Sequence, residues 1–184
     1  MIQAVERVRQ RALRAARALE NAGIPYAIIG GNAVAAWVAR VDPAAVRNTQ
    51  DVDVLLRRED LERAKTAMEA EGFVYRRVKS IDMFIDKATV GEVRDAVHVL
   101  IAGEYVREGD LAPAADVSDS ERGDNYRVLS LEALVRMKLT SYRDKDRTHL
   151  RDMIEVELID PSWCDRLPPE LAARLQHLFD TPEG

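Results

Sequence analysis

An apolar run that ends in two glycines sets the terms on which this chain can fold. Pro25 opens the run Tyr26-Ala-Ile-Ile29, Gly30-Gly31 closes it, and the alanine-rich stretch Ala33 to Val41 follows. Consecutive apolar residues bounded by turn formers read as a buried strand, and a stretch that is apolar nearly all round reads as a helix packed on both sides. The glycines permit a tight passage from strand to helix. Asn32 is expected to cap that helix, and Asp42-Pro43 to end it.

The flanking segments extend this pattern. Val5, Val8, Ala12, Ala16 and Leu19 recur at steps of three and four, the stripe of an amphipathic helix, and Gly23 stops it. Val52 to Leu56 reads as a strand and Asp60 to Glu71 as a helix stopped by Gly72. Phe73 to Val78 and Ile81 to Ile85 form a candidate hairpin around Lys79-Ser80, and Val97 to Ile101 is a further strand. Glu108 to Tyr126 is rich in Asp, Gly, Pro and Ser without apolar period, and beyond it the chain is expected to be helical throughout. Ser130 caps the first of these helices, His149 to Leu158 marks the second, and Pro168-Pro169 opens the last. With 184 residues, 47% of them hydrophobic and 32% charged, the chain suits a globular fold of the α/β or α+β class. The expected organisation is an α/β core with an N-terminal helix over 1–125 and a helical segment packed on it over 126–184.

Composition excludes several functions. Twenty-seven basic against 32 acidic residues leave a net charge of −5, which argues against a polyanion-coating surface but leaves room for a local basic pocket. A single cysteine, Cys164, rules out an intrachain disulfide and a cysteine-based zinc site. No apolar run approaches a membrane span, and the N-terminal stripe is not a signal peptide's apolar block, so a cytoplasmic location is expected.

The chemistry concentrates in Thr49-Gln-Asp51-Val-Asp53, whose first aspartate stands eighteen positions after Ala33. Residues two apart on a strand share a face, so Asp51 and Asp53 set two carboxylates side by side. Such a pair repels itself unless a cation sits there, and two hard oxygen donors suit Mg²⁺ or Mn²⁺, which fill their shell from water and substrate phosphates. Gly30 and Gly31 suit the other half of a nucleotide, because backbone N–H groups at a helix start bind phosphate. Asn32 and Thr49 join these glycines as candidate nucleotide-binding residues, and Lys138 is the candidate cation for the triphosphate. Arg143, Lys145 and Arg147 are candidates to line the same cleft, but the run Arg143-Asp-Lys-Asp-Arg147 reads first as a self-paired exposed face.

On Gly30-Gly31-Asn32-Ala33, Thr49 and Asp51-Val52-Asp53-Val54-Leu55 the sequence resembles the nucleotidyltransferase superfamily, the polymerase-β-like fold. The resemblance runs from about Gly23 to Ile159. It looks most like small bacterial members related to AbiEii-type toxins and minimal nucleotidyltransferases, whose helical tail Lys138, Arg143, Lys145-Asp146 and His149 to Asp152 resemble. It implies a mixed sheet flanked by helices, Mg²⁺ on Asp51 and Asp53, and transfer of a nucleoside monophosphate from NTP to a hydroxyl on an RNA end, a protein or a small molecule. Members of the superfamily usually carry a third carboxylate on a later strand, where this chain has His98, with Glu92, Asp95 and Glu104 nearby. Two readings therefore stay open: a Mg²⁺-dependent enzyme using Asp51, Asp53 and His98, and a catalytically silent module of the same fold, such as a toxin–antitoxin component with a cognate protein partner.

Overall fold

The structure, a computed structural model, describes residues 2–89 and 96–182. Helix α1 (Ile2–Asn21) turns its alanine and leucine stripe inward, and Gly23, at φ 61°, makes the left-handed turn that ends it. Strand β1 (Tyr26–Ile29) is buried on both faces. Tyr26 and Ile28 join the core beneath α1, whereas Ala27 and Ile29 join a second core on the opposite face.

The next helix starts earlier than expected. Helix α2 spans Gly30–Val38, not Ala33 to Val41, so the glycine pair is its first turn. Asn32 does not cap it. The helix is entered from Ile29 in extended conformation without a side-chain cap, and the Asn32 amide donates instead to the Asp51 carbonyl at 2.7 Å. At the other end Asp42 accepts from the Ala44 N–H at 2.8 Å and caps a single 3-10 turn over Pro43–Ala45.

Strand β2 (Val52–Leu56), helix α3 (Leu61–Ala70) and the hairpin β3 (Phe73–Val78) and β4 (Ile81–Asp86) follow their sequence pattern closely. Lys79 takes the positive φ, 57°, that the hairpin turn requires. Strand β5 (Ala96–Ile101) then pairs parallel to β2 and antiparallel to β4.

Two short strands were not expected, one within the aperiodic stretch 108–126 and one beyond it, and the second corrects the expectation of an all-helical end. β6 (Ser120–Arg122) and β7 (Arg127–Leu129) form a hairpin, and β7 pairs parallel to β1 at Ile28 and Val128. Three residues are too few to show a period, and the Gly123-to-Asn125 turn between them reads as loop chemistry. The sheet thus has seven strands in the order β3-β4-β5-β2-β1-β7-β6 and draws on residues beyond 125.

The remaining chain is helical: α4 (Leu131–Ser141), α5 (Asp144–Glu155) and α6 (Pro169–Asp180). The Ser130 hydroxyl accepts from the Ala133 N–H at 3.3 Å, as a cap should. Helices α1 and α3 cover one sheet face, while α2, α4, α5 and α6 supply the core on the other, built on Leu134, Leu139, Leu150 and Leu175. No helix among the described residues is long and apolar enough to cross a membrane.

Two stability measurements test this packing. Leu134, 1% exposed, should cost about 2–5 kcal/mol in urea unfolding when replaced by alanine, whereas Val78→Ala at an exposed site should stay within about 0.5 kcal/mol. His149 on α5 gives the second. Burial, reinforced by Lys138 and Lys145 and opposed by Asp146 and Asp152, lowers its pKa to about 4, and among the described residues its Nδ1 has no hydrogen-bond partner. The unfolded chain therefore takes up a proton near pH 6.5 that the folded chain refuses until about pH 4. The neutral ring's contribution is complete above pH 6.5, falls by about 3 kcal/mol between pH 6.5 and 4, and levels off below. His149→Leu should flatten the stability profile across that window; a slope identical to the parent protein's would refute the assignment. Asp146, whose carboxyl is held low by Arg143, Lys138 and Ser141, loses its contribution only at more acidic pH.

Candidate active site

Strand alternation places the site. Val52, Val54 and Leu56 face the α1 core and Leu55 the opposite one, so Asp53 points to the side of α2, α4 and α5. On β5, Val97, Val99 and Ile101 likewise face α1, which sends His98 to the same side as Asp53. The parallel register pairs Asp53 with His98 directly, and His98 Nδ1 lies 3.6 Å from Asp53 Oδ1. The carboxylate raises the imidazole above its ordinary pKa, against the opposing effect of burial. A one-residue slip would have turned the ring to the other face. His98 is thus the side chain that β5 presents beside Asp53.

The glycine pair has a structural reason of its own. Gly30 sits at φ 65°, and a Cβ there would lie 2.0 Å from Asp53 Oδ2. A Cβ on Gly31 would come within 2.7 Å of Thr49 Oγ1. Only two bare backbone residues allow the start of α2 to rest on the aspartate and threonine side chains. Asn32 and Thr49 act from beneath, since both donate to the Asp51 carbonyl, at 2.7 and 3.4 Å, and hold the lead-in to β2. Of the candidate nucleotide-binding residues, Gly30 and Gly31 face the cavity, while the Asn32 side chain is committed to backbone support.

That cavity is about 530 Å³ and takes in Gly30, Gly31, Asp51, Asp53, His98, Lys138, Arg143 and Lys145. Its floor is an ion cluster. Lys138 Nζ donates to Asp146 Oδ1 at 2.9 Å, Arg143 Nε reaches Oδ2 at 2.7 Å, and the Ser141 hydroxyl donates to the same carboxylate. Lys138 is therefore no solvated lysine. Its side chain is only 7% exposed, and burial lowers its pKa against the pull of Asp146. The run from Arg143 to Arg147 is only partly self-paired: Arg147 meets Asp144, but Asp146 turns inward and Lys145 Nζ crosses to Asp51 Oδ2 at 2.9 Å. Lys145 and Arg143 thus line the cavity, the lesser of the two expectations for this run, while Arg147 does not. The offset between Lys145 and Asp146 was their signal, since neighbours on a helix face different directions.

The outer end of the cavity lies against β4 and the loop after β5. Asp82, buried on β4, accepts from the Tyr75 hydroxyl at 2.5 Å, and Arg58 Nη1 stands 3.6 Å from it. Arg58 also grips Glu104 with two hydrogen bonds, of 2.9 and 2.7 Å. Glu104 is thereby held at the rim; Glu92 and Asp95 lie outside the described residues. Trp37 and Trp163 are packing residues as expected, the Trp37 indole donating to the Leu129 carbonyl at 3.0 Å.

The residues fit a divalent cation held in part by its substrate. Among the described residues no cluster of three or more His, Cys, Asp and Glu forms a metal cage by itself. Two adjacent carboxylates open to a cavity nevertheless demand positive charge, and the chain meets that demand at Asp51 with the Lys145 ammonium. Such a donor set matches the one or two protein carboxylates that Mg²⁺ uses beside phosphate oxygens.

Solved structures similar in shape share this fold at low sequence identity. The solution structure of the antibiotic-resistance factor ANT(2'')-Ia superposes with a TM-score of 0.56 at 17% identity, over 94% of this chain and 91% of that one. Two Helicobacter pylori structures follow, a candidate nucleotidyltransferase at TM-score 0.54 and JHP933 at 0.52. Each is 17% identical and covers all of this chain, with 79% and 77% of the respective partner. No curated protein sequence matches the chain. The model of a family described as uncharacterised nucleotidyltransferases matches residues 2–177, which take in the glycine turn, both aspartates, the seven-stranded sheet and nearly all of α6. The chain belongs to that nucleotidyltransferase family.

Proposed function

We propose that this protein transfers a nucleoside monophosphate from an NTP to an acceptor hydroxyl in a Mg²⁺- or Mn²⁺-dependent reaction. The acceptor is a hydroxyl of an RNA end, a protein or a small molecule. The observation that carries this reading is the Asp53–His98 register, which puts an imidazole beside the aspartate pair in the cavity that the glycine turn enters. Asp51 and Asp53 would hold the metal, whose chemistry is to neutralise and orient the phosphates in an in-line displacement.

The protein's own groups do the rest. The acceptor oxygen attacks the α-phosphorus, the bond from that phosphorus to the bridging oxygen breaks, and pyrophosphate leaves. Gly30 and Gly31 let the backbone approach the phosphates, and the start of α2 keeps its N–H groups available because Ile29 offers no side-chain cap. His98 Nδ1 faces Asp53, which leaves Nε2 to accept the hydroxyl proton. Arg143 and Lys138, fixed by Asp146, keep the cavity floor positive without adding a mobile charge.

Calorimetric titration of the four NTPs with and without Mg²⁺ tests the pocket before the acceptor is known. Binding should require Mg²⁺ and should vanish in the Asp51→Ala/Asp53→Ala double variant, with transfer falling on the order of 10²–10³-fold or more. The variant should stay folded, since removing adjacent carboxylates relieves repulsion. Equal binding by both proteins sinks the reading.

A second reading rests on the same imidazole, a nucleotide-binding module that does not turn over and instead serves a protein partner, as in a toxin–antitoxin pair. His98→Ala separates the two. The enzyme should lose about 10²–10⁴-fold in transfer rate with little change in NTP affinity. The silent module should show no transfer before the substitution and should acquire it with His98→Asp.

A further inference from the structure

We infer that Lys145 is a built-in stand-in for the metal: its ammonium holds Asp51 in the free protein, and metal binding releases it to the triphosphate. The inference rests on the proposed reading of Asp51 and Asp53 as metal ligands.

Three observations carry it. The first is the contact itself, Lys145 Nζ to Asp51 Oδ2 at 2.9 Å, between residues 94 apart in sequence. The second is exposure. The lysine and aspartate side chains are 48% and 39% exposed, so the pair can open without disturbing the core. By contrast, Lys138 and Asp146 are 7% and 1% exposed and stay locked together. The third is the anchoring of the backbone. Lys145 lies in the first turn of α5, whose entry is pinned where Asp146 accepts from the Arg143 N–H and the Ser141 hydroxyl. The peptide at Lys145 is thereby held still while its four-carbon stem is free to swing.

Electrostatics supplies the exchange. An ammonium and a divalent cation repel each other, so a metal that takes Asp51 Oδ2 displaces the Lys145 ammonium from that oxygen. When a metal takes Asp51, Lys145 loses its partner, whereas Lys138 and Arg143 keep Asp146. Lys145 lines the same cavity as Gly30 and Gly31, so the event that brings in the nucleotide's metal also frees a cation beside the phosphates. This assigns Lys145 two opposite effects. It competes with the metal when nucleotide is absent and binds the nucleotide when metal is present.

Opposite effects make a decisive test. Mn²⁺ binding to the nucleotide-free full chain is measured by electron paramagnetic resonance for the parent protein, Lys145→Met and Asp51→Asn. Lys145→Met should bind Mn²⁺ about two- to fivefold more tightly, the range that loss of an exposed competing ion pair supports. Calorimetry should then show each Mg²⁺·NTP bound on the order of tenfold more weakly by the same variant. Mn²⁺ affinity unchanged or weakened in Lys145→Met overturns the stand-in role, and unchanged NTP affinity overturns the release to phosphate. Asp51→Asn tells this failure from a failure of the underlying reading. If Asp51→Asn abolishes Mn²⁺ binding while Lys145→Met leaves it unchanged, only the role of Lys145 falls. If Asp51→Asn retains full Mn²⁺ affinity, the metal reading falls with it, and if neither the parent nor Lys145→Met binds the ion without nucleotide, the stand-in role falls while a metal carried in on the triphosphate is untouched.

Discussion

The seat of the Asp53 carboxylate against the backbone of Gly30 is the constraint from which the rest of this structure follows. The aspartate occupies the volume a Cβ at Gly30 would need. That contact requires β1 and β2 to lie antiparallel in the register that sets Ile29 opposite Asp53, so that the turn out of β1 meets the middle of the charged face. It also requires the left-handed step at Gly30, which starts α2 at once and puts the buried, apolar Ile29 in the capping position. The uncapped helix start and the carboxylates are brought together by one steric fact. A pocket that pairs free N–H groups with acidic side chains can hold a phosphate and a cation at neighbouring points.

The second layer of the design is charge balance by nested pairs. Asp53 leans on His98, Asp51 on Lys145, Asp146 on Lys138 and Arg143, and Glu104 on Arg58. These pairs differ in exposure, and exposure decides what each can do. The buried ones are geometric fixtures, because separating them leaves an uncompensated charge in a poor solvent. The exposed ones are worth little as stability and can exchange partners. The cavity is thus a fixed floor with a movable charge at its edge.

Much of this was legible in the sequence because it depends on short-range pattern. The run Tyr26 to Ile29, the strand Val52 to Leu56 and the hairpin around Lys79 were readable from apolar runs and turn residues, and the period of two put Asp53 and His98 on definable faces. What escaped depends on distance. β6 and β7 are each three residues long and owe their place to pairing with β1, which no local period announces. Asn32 looked like a cap because its neighbours form a helix start, yet a carbonyl nineteen residues on claims its amide. Lys145 was only half legible, for a similar reason. In Arg143-Asp-Lys-Asp-Arg147 each charge has a local partner of opposite sign, and only the tertiary fold shows which two of the five turn away from the surface run.

The buried pair at the cavity floor explains how so exposed a residue as Lys145 can be placed at all. Tyr142 ends α4 in a left-handed conformation at φ 46°, and α5 begins two residues later. A turn that short leaves the direction of α5 to whatever its first residues bind. Asp146 binds four groups there: the Lys138 ammonium, the Arg143 guanidinium and N–H, and the Ser141 hydroxyl. Removing one partner of such a buried pair typically costs about 3–5 kcal/mol, because the other charge is left without compensation. The cluster therefore earns its place by fixing orientation more than by adding net stability. With Asp146 turned into the floor, the helical period turns the preceding residue, Lys145, about 100° around the axis toward the mouth of the cavity and Asp51. A buried carboxylate held within its own turn thus sets the reach of a lysine that bridges the helical layer to Asp51.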